Sequence, residues 1–284
     1  MAMCRKVWKI CCLQWRKELF TVRTGILFLM VFLYIRMLVS PLNVFSQSVG
    51  ILNTPWVFPF LTNDTMCQVV FAAFAIFLFC KAPFWGKEGY YMLARARKVP
   101  MVCGTVLYIV TMSAFFVAML FLFALVNQIP YLEFSGSWGK LLGTLGYGGA
   151  LMPGGVRFSV SKQILSGFSP AEATVLALLL EWGCVSFLGG LVYCLNYMIG
   201  RQAGTIAAAA FTGLDYAIVN LLPFRYYHYS PLSLAKLDTL KGIGLFGYPS
   251  LKYAFLFFAG AAGLLLLIAV VYTKMKKGDL YEGK

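Results

Sequence analysis

Three ionisable residues, Arg36, Glu181 and Asp215, lie inside long apolar runs of a 284-residue chain in which only 12% of residues are charged. At about 1.5 Å per helical residue, each falls about 15–18 Å from one end of its run, near the middle of a hydrocarbon core about 30 Å thick. An isolated charge there costs roughly 2.5–3.5 kcal/mol on insertion scales. Pairing among the three, or exposure to a water-filled substrate path, is therefore expected over contact with lipid. Little else in the chain has the makings of chemistry. The single histidine, His228, gives zinc motifs, histidine-dependent triads and haem pairs nothing to build on, and it is expected to be an interfacial polar residue. There is no G-x-S-x-G and no G-x-x-x-x-G-K-[ST], although GSWGK and PGGVRFS invite the comparison. No catalytic residue and no metal site is expected, and the chain is read as a non-enzyme.

The elements that position these charges are membrane spans. Hydrophobic residues make up 61% of the chain and its mean hydropathy is +0.79, values that suit an all-α polytopic membrane protein. Six runs are long enough or nearly so: 26–43, 67–82, 101–126, 171–200, 203–222 and 251–273. An amphipathic segment over 1–25 precedes them, a six-span domain covers 26–273, and 274–284 is a basic tail. The net charge of +14 needs no nucleic acid, because the bases flank the spans. With both termini cytoplasmic, sixteen Lys or Arg fall on inner segments and six on outer ones, with Arg36 and Lys252 within or at spans. The outer segments are then 44–66, 127–170 and 223–250. The second is rich in glycine and expected to be flexible or partly re-entrant, whereas the third, with FRYYHYSPLSLAKL, is expected to lie along the outer interface. Asn63-Asp64-Thr65 matches a glycosylation triplet of a kind that arises by chance.

Eight cysteines show neither metal-finger spacing nor a secreted-domain framework, so disulfides are not expected. Of these, Cys67 alone is placed on the outer side, within reach of an impermeant reagent. Small residues recur at four-residue spacing in spans four and five (Ser186 and Gly190, Gly204 and Ala208, Ala209 and Gly213), which permits close helix contact.

The loop over 81–100, KAPFWGKEGYYMLARARKVP, carries Lys81, Lys87, Arg95, Arg97 and Lys98 against the single acid Glu88. Strong helix formers between its prolines predict a short amphipathic helix at the inner membrane surface, fit to dock a soluble partner. At the N-terminus, Trp8, Cys12, Trp15 and Leu19 recur at helical spacing with Lys6, Lys9, Arg16 and Lys17 beside them, predicting a helix along the inner leaflet.

In layout, and in the stretches RKELFTVRTGILFLMVF, EGYYMLARARKVPMVCGTVLY and RYYHYSPLSLAKL, the chain resembles the membrane (permease) subunit of an ABC-2 type ATP-binding-cassette exporter. The resemblance covers nearly the whole chain, and the long glycine-rich segment departs from it. It implies that 5–20 is an interface helix and 85–98 a coupling helix. Trp15, Arg16, Lys17, Trp85, Glu88, Arg95 and Arg97 would then meet a cytoplasmic ATP-binding-cassette ATPase. ATP and Mg would be held by that partner, with no cofactor on this chain, and two membrane subunits would pair as a homo- or heterodimer in the cytoplasmic (inner) membrane. A secondary transporter or channel built on Arg36, Glu181 and Asp215, or a non-transporting anchor of a signalling or immunity complex, are the alternatives.

Overall fold

The computed structural model describes residues 2–84, 98–148, 155–200, 202–240 and 248–275. Its helices are α1 (Ala2–Leu19), α2 (Val22–Val49), α3 (Phe58–Asn63), α4 (Thr65–Phe79), α5 (Lys98–Val126), α6 (Gly139–Gly148), α7 (Lys162–Gly167), α8 (Pro170–Met198), α9 (Ala203–Leu221), α10 (Pro231–Leu234), α11 (Leu237–Leu240) and α12 (Leu251–Met275), with a 3₁₀ helix at Phe224–Tyr229 before α10. There is no strand among the described residues. The fold is an all-α multi-pass membrane architecture, in which α2, α5, α8, α9 and α12 are long and apolar enough to cross a bilayer. The second predicted span appears as α4, an apolar helix of 15 residues. With α3 ahead of it, the apolar stretch is interrupted at Asp64, whose extended backbone breaks the helix and whose Oδ1 accepts from the N–H groups of Met66 (3.0 Å) and Cys67 (3.1 Å).

Local signals set the other ends. Thr21 caps α2, and Gly50, at φ 69°, closes it in the left-handed conformation that glycine adopts without strain. Ser169-Pro-Ala-Glu172 starts α8, with Pro170 in the first turn and Ser169 Oγ accepting from the Glu172 N–H.

Directions alternate along the chain. Tyr34 of α2 meets Phe71 of α4 edge-on, while Arg23, at the other end, reaches Cys80 Sγ, so α2 and α4 are antiparallel. Phe28 and Phe32 follow Phe115 and Phe123, so α5 runs with α2. The central α8 packs on α3, α4, α5, α9 and α12, and α9 crosses it tightly, since a Cβ on Gly204 would strike the Val192 backbone. Of the predicted small-residue pairs, Gly204 and Ala208 are buried on α9 where it faces α8.

The N-terminal helix differs from its predicted stripe. Its buried residues are Ile10, Cys11 and Gln14, and Trp8 is 60% exposed. The polar Gln14 can face inward because its Nε2 donates to Thr105 Oγ1 on α5 at 2.9 Å, and Gly104 leaves room for Ile10 beside it. In the glycine-rich segment over 127–170, α6 and α7 pack on each other, and Leu141, Leu142, Ile164 and Leu165 are buried. An isolated bridge, in which Asn53 N–H donates to Tyr131 O at 2.7 Å, ties this segment to the one after α2.

Part of the 223–250 segment is buried within the protein instead of lying on its surface. Pro231 to Leu237 are all buried, because α10 inserts against α4, α8 and α9. Cys67 is also buried, at 1% exposure, so its thiol does not report sidedness. With Cys12, Cys80 and Cys103 replaced by serine, Met66→Cys should react with an impermeant maleimide on intact cells, the exposed Cys4 only after permeabilisation, and Cys67 in neither state. Labelling of Cys4 in intact cells would reverse the assigned orientation.

Candidate polar site beside a cavity

The insertion of α10 follows from its sequence. Ser230-Pro231 opens the turn, with Ser230 Oγ accepting from Ser233 N–H, and Leu232, Leu234, Ala235 and Leu237 supply apolar surface with no polar face to keep in water. One charge travels with them. Lys236 is 2% exposed, and its Nζ lies 3.4 Å from Asp215 Oδ2 on α9 and 3.2 Å from Thr65 Oγ1 on α4. The other carboxylate oxygen of Asp215 accepts from Ser230 Oγ and, at 2.6 Å, from Ser233 Oγ. Asp215 is completely buried, so these partners replace the water it has lost.

Close by, Glu181 on α8 is 1% exposed and accepts from Gln68 Nε2 of α4 at 2.7 Å. Gln68 Oε1 has no hydrogen-bond partner among the described residues. The Lys236 ammonium is thus ion-paired with Asp215, while Glu181 is held by Gln68.

Next to this cluster opens a cavity of about 600 Å³, lined from α3–α4, the segment before α7, the C-terminal end of α9, and α11. Asn63 and Asp238 close one wall reciprocally: Asn63 Nδ2 donates to Asp238 Oδ2 at 2.7 Å, and Asp238 N–H donates to Asn63 Oδ1 at 3.1 Å. Burial pushes the Asp238 carboxyl up, against the Asn63 hydrogen bond and the Lys236 charge, which favour its ionised form. The Asn63-Asp64-Thr65 triplet, read from sequence as a chance match, therefore has three structural tasks, and a side chain only 4% exposed does not suit glycan attachment.

The predicted intramembrane residues separate. Glu181 and Asp215 come together, but Arg36 is exposed on the outside of α2 and makes no ion pair among the described residues. It is not the partner of either acid. The partner is Lys236, which sequence reasoning counted among outer-surface bases; a lone lysine in SPLSLAKL, apolar on every side, was the signal that it is buried. His228 sits against the Tyr253 ring at 5.5 Å.

At the opposite end of the bundle, Trp15 donates to Thr111 Oγ1 at 2.8 Å and meets Phe115 and Tyr108 edge-on, while Arg16 and Lys17 are exposed on the far face of α1. Phe84, at the root of the 81–100 loop, packs on the same Tyr108 with centroids 5.1 Å apart. The expected coupling residues Trp85, Glu88, Arg95 and Arg97 lie outside the described residues. A scan against family models finds no match, and neither do searches of curated proteins and of solved structures.

Removing one member of a buried pair leaves a buried charge and costs about 3–5 kcal/mol. Asp215→Ala or Lys236→Ala should therefore each lower thermal stability in detergent markedly, and Asp215→Lys combined with Lys236→Asp should recover part of the loss. By the same geometry, Arg36→Glu should gain nothing from Asp215→Arg or Glu181→Arg. Recovery by either of those pairs would place Arg36 in the cluster.

Proposed function

We propose that this chain is the transmembrane subunit of an ATP-driven exporter of the ABC-2 type, crossing the inner membrane six times with both ends in the cytoplasm. It would be powered by a separate cytoplasmic ATPase that binds ATP and Mg. The observation that carries the reading is the aromatic cluster Trp15–Tyr108–Phe84. It fastens two elements expected to face a soluble partner, the N-terminal helix and the root of the 81–100 loop, to the inner half of one span. The exposed Arg16 and Lys17 are then a charged face on a fixed support, suited to an acidic patch on the ATPase.

The support continues across the bundle. Asn196, buried near the inner end of α8, donates from Nδ2 to Ala82 O at 3.0 Å and accepts from Gly204 N–H at 2.8 Å. A displacement at the loop root would thus reach α8 and α9, which carry Glu181 and Asp215. In this reading the ATPase works at one end, and the α10 insertion opens or closes the other. A second membrane subunit, identical or related, would complete the path, and the exposed Arg36 face of α2 is available to line or meet it.

One feature favours a second reading. A buried Asp215–Lys236 ion pair with a second buried carboxylate, Glu181, at the foot of a cavity would also suit a secondary transporter driven by ion exchange.

Purification in mild detergent distinguishes the two. Under the exporter reading a Walker-type ATPase copurifies, and Glu88→Lys or the double change Arg16→Glu with Lys17→Glu reduces its retention about tenfold, or uncouples hydrolysis from transport, while insertion is unchanged. Transport by the chain alone in ATP-free proteoliposomes would overturn the exporter reading in favour of the second.

A further inference from the structure

The outer cavity differs in charge from the rest of the molecule. The chain has a net charge of +14 and only ten acidic residues, yet four of them, Asp64, Glu181, Asp215 and Asp238, gather at this cavity and the cluster under it. Two lysines accompany them. Lys236 is already held by Asp215, and Lys162 lies exposed at the cavity wall. The half-buried Asp64 and Asp238 line the cavity itself, and so do Tyr216, Tyr227 and Tyr248. Carboxylates at partial burial attract cations more strongly than surface ones, and tyrosine rings add attraction to an ammonium through their faces. The protein already places one ammonium in this setting: Lys236 Nζ, between a carboxylate and the Thr65 hydroxyl.

We propose that the cavity between α4, α9 and α11 is a binding site for an organic ammonium group, with Asp64 and Asp238 as its counter-ions and Tyr216, Tyr227 and Tyr248 as its aromatic wall. As the outer substrate-handling end of an exporter it rests on the function proposed above; recognition of the ammonium does not. The volume of about 600 Å³ accommodates more than a metal ion, and it suits an amine-bearing side chain or headgroup. Asp64 retains its capping bonds to α4 through Oδ1, which leaves Oδ2, weakly engaged by Ser159 N–H at 3.3 Å, to face the ligand. Asp238 is steadied by Asn63 and presents its carboxylate from a fixed position.

The test is calorimetric titration of the full chain in maltoside detergent, which carries no ammonium, with trilysine as probe. Binding is expected, and trilysine with all its amines acetylated should bind at least tenfold more weakly. Asp64→Asn and Asp238→Asn, which keep shape and capping, should each weaken binding about tenfold, the worth of one charge-assisted hydrogen bond. Lys162→Glu should tighten it several-fold, whereas Glu133→Gln, on an exposed outer residue away from the cavity, should leave it unchanged. Competition by added phosphatidylethanolamine would assign the site to a lipid headgroup, and its absence to a free amine or peptide; either supports ammonium recognition. No binding at millimolar trilysine, equal binding of the acetylated probe, or an effect of Glu133→Gln matching those of the two aspartates would overturn the proposal. Because no ATPase enters the assay, failure here leaves the exporter reading standing, and failure of ATPase copurification leaves the cavity result standing.

Discussion

A buried ammonium and a buried carboxylate hold one end of this molecule together. Taking either ion from water into a low-dielectric interior costs several kcal/mol even after relaxation, so neither Asp215 nor Lys236 would be tolerated there without the other. The pair also needs its hydroxyl partners. Ser230 and Ser233 satisfy one carboxylate oxygen, Lys236 the other, and Thr65 takes a further hydrogen from the ammonium. All of these except Asp215 and Thr65 come from one short stretch, 230–236. The consequence is directional: apolar surface on Leu232 and Leu234 drives the stretch inward, while the polar contacts fix where it stops. Packing alone would allow it to slide, but an ion pair surrounded by matched donors has one satisfactory register.

The same arrangement accounts for the interruption between α3 and α4. A continuous helix through Asn63, Asp64 and Thr65 would point these side chains around its circumference. Broken at Asp64, the chain can turn Asn63 to α11, Thr65 to Lys236 and the Asp64 carboxylate to both the α4 terminus and the cavity. The Asp64 carboxylate and the Asn63 and Thr65 side chains at the break all find hydrogen-bond partners within the protein. At the other end of the bundle the chemistry changes from ionic to aromatic, with Trp15, Phe84 and Tyr108 joining α1, the loop root and α5. Between the two ends run α8 and α9, whose close crossing at Gly204 leaves little room for independent movement.

Most of the helical framework was legible in the sequence, because a bilayer allows few alternatives: apolar runs of span length must be helices, and the observed helices begin and end within about four residues of the predicted runs, except that α2 continues to Val49, six residues past its predicted end. Of the two small-residue pairs read on α9, Gly204 and Ala208 are buried, with only a residue lacking a side chain fitting against Val192, whereas Ala209 and Gly213 are exposed. Three features were not legible. The helical stripe of the N-terminal segment was assigned through Trp8, yet burial follows Ile10, Cys11 and Gln14, because a tryptophan is content at a membrane interface while Gln14 finds a partner 91 residues away. The 223–250 segment reads as interfacial, but its stretch 231–237 is buried in the interior. Finally, depth alone matched Arg36 to the two acids; rotation about the helix axis, which depth does not specify, turns it to the outside. Charge pairing in a membrane is decided by which faces meet, and only the fold contains that information.

If the inserted stretch is the keystone of the outer half, its protection must alternate sharply along a few residues. Single cysteines at Tyr226, Tyr229, Leu232 and Leu234, in a chain lacking its native exposed thiols, would be titrated with an impermeant maleimide on intact cells. The structure, in which Tyr226 and Tyr229 are 47% and 74% exposed and both leucines are fully buried, predicts rapid labelling at the two tyrosine positions and labelling at least tenfold slower at the leucines. Adding Lys236→Ala should erase much of that difference. Uniform, rapid labelling of all four positions in the otherwise unaltered chain would contradict the account.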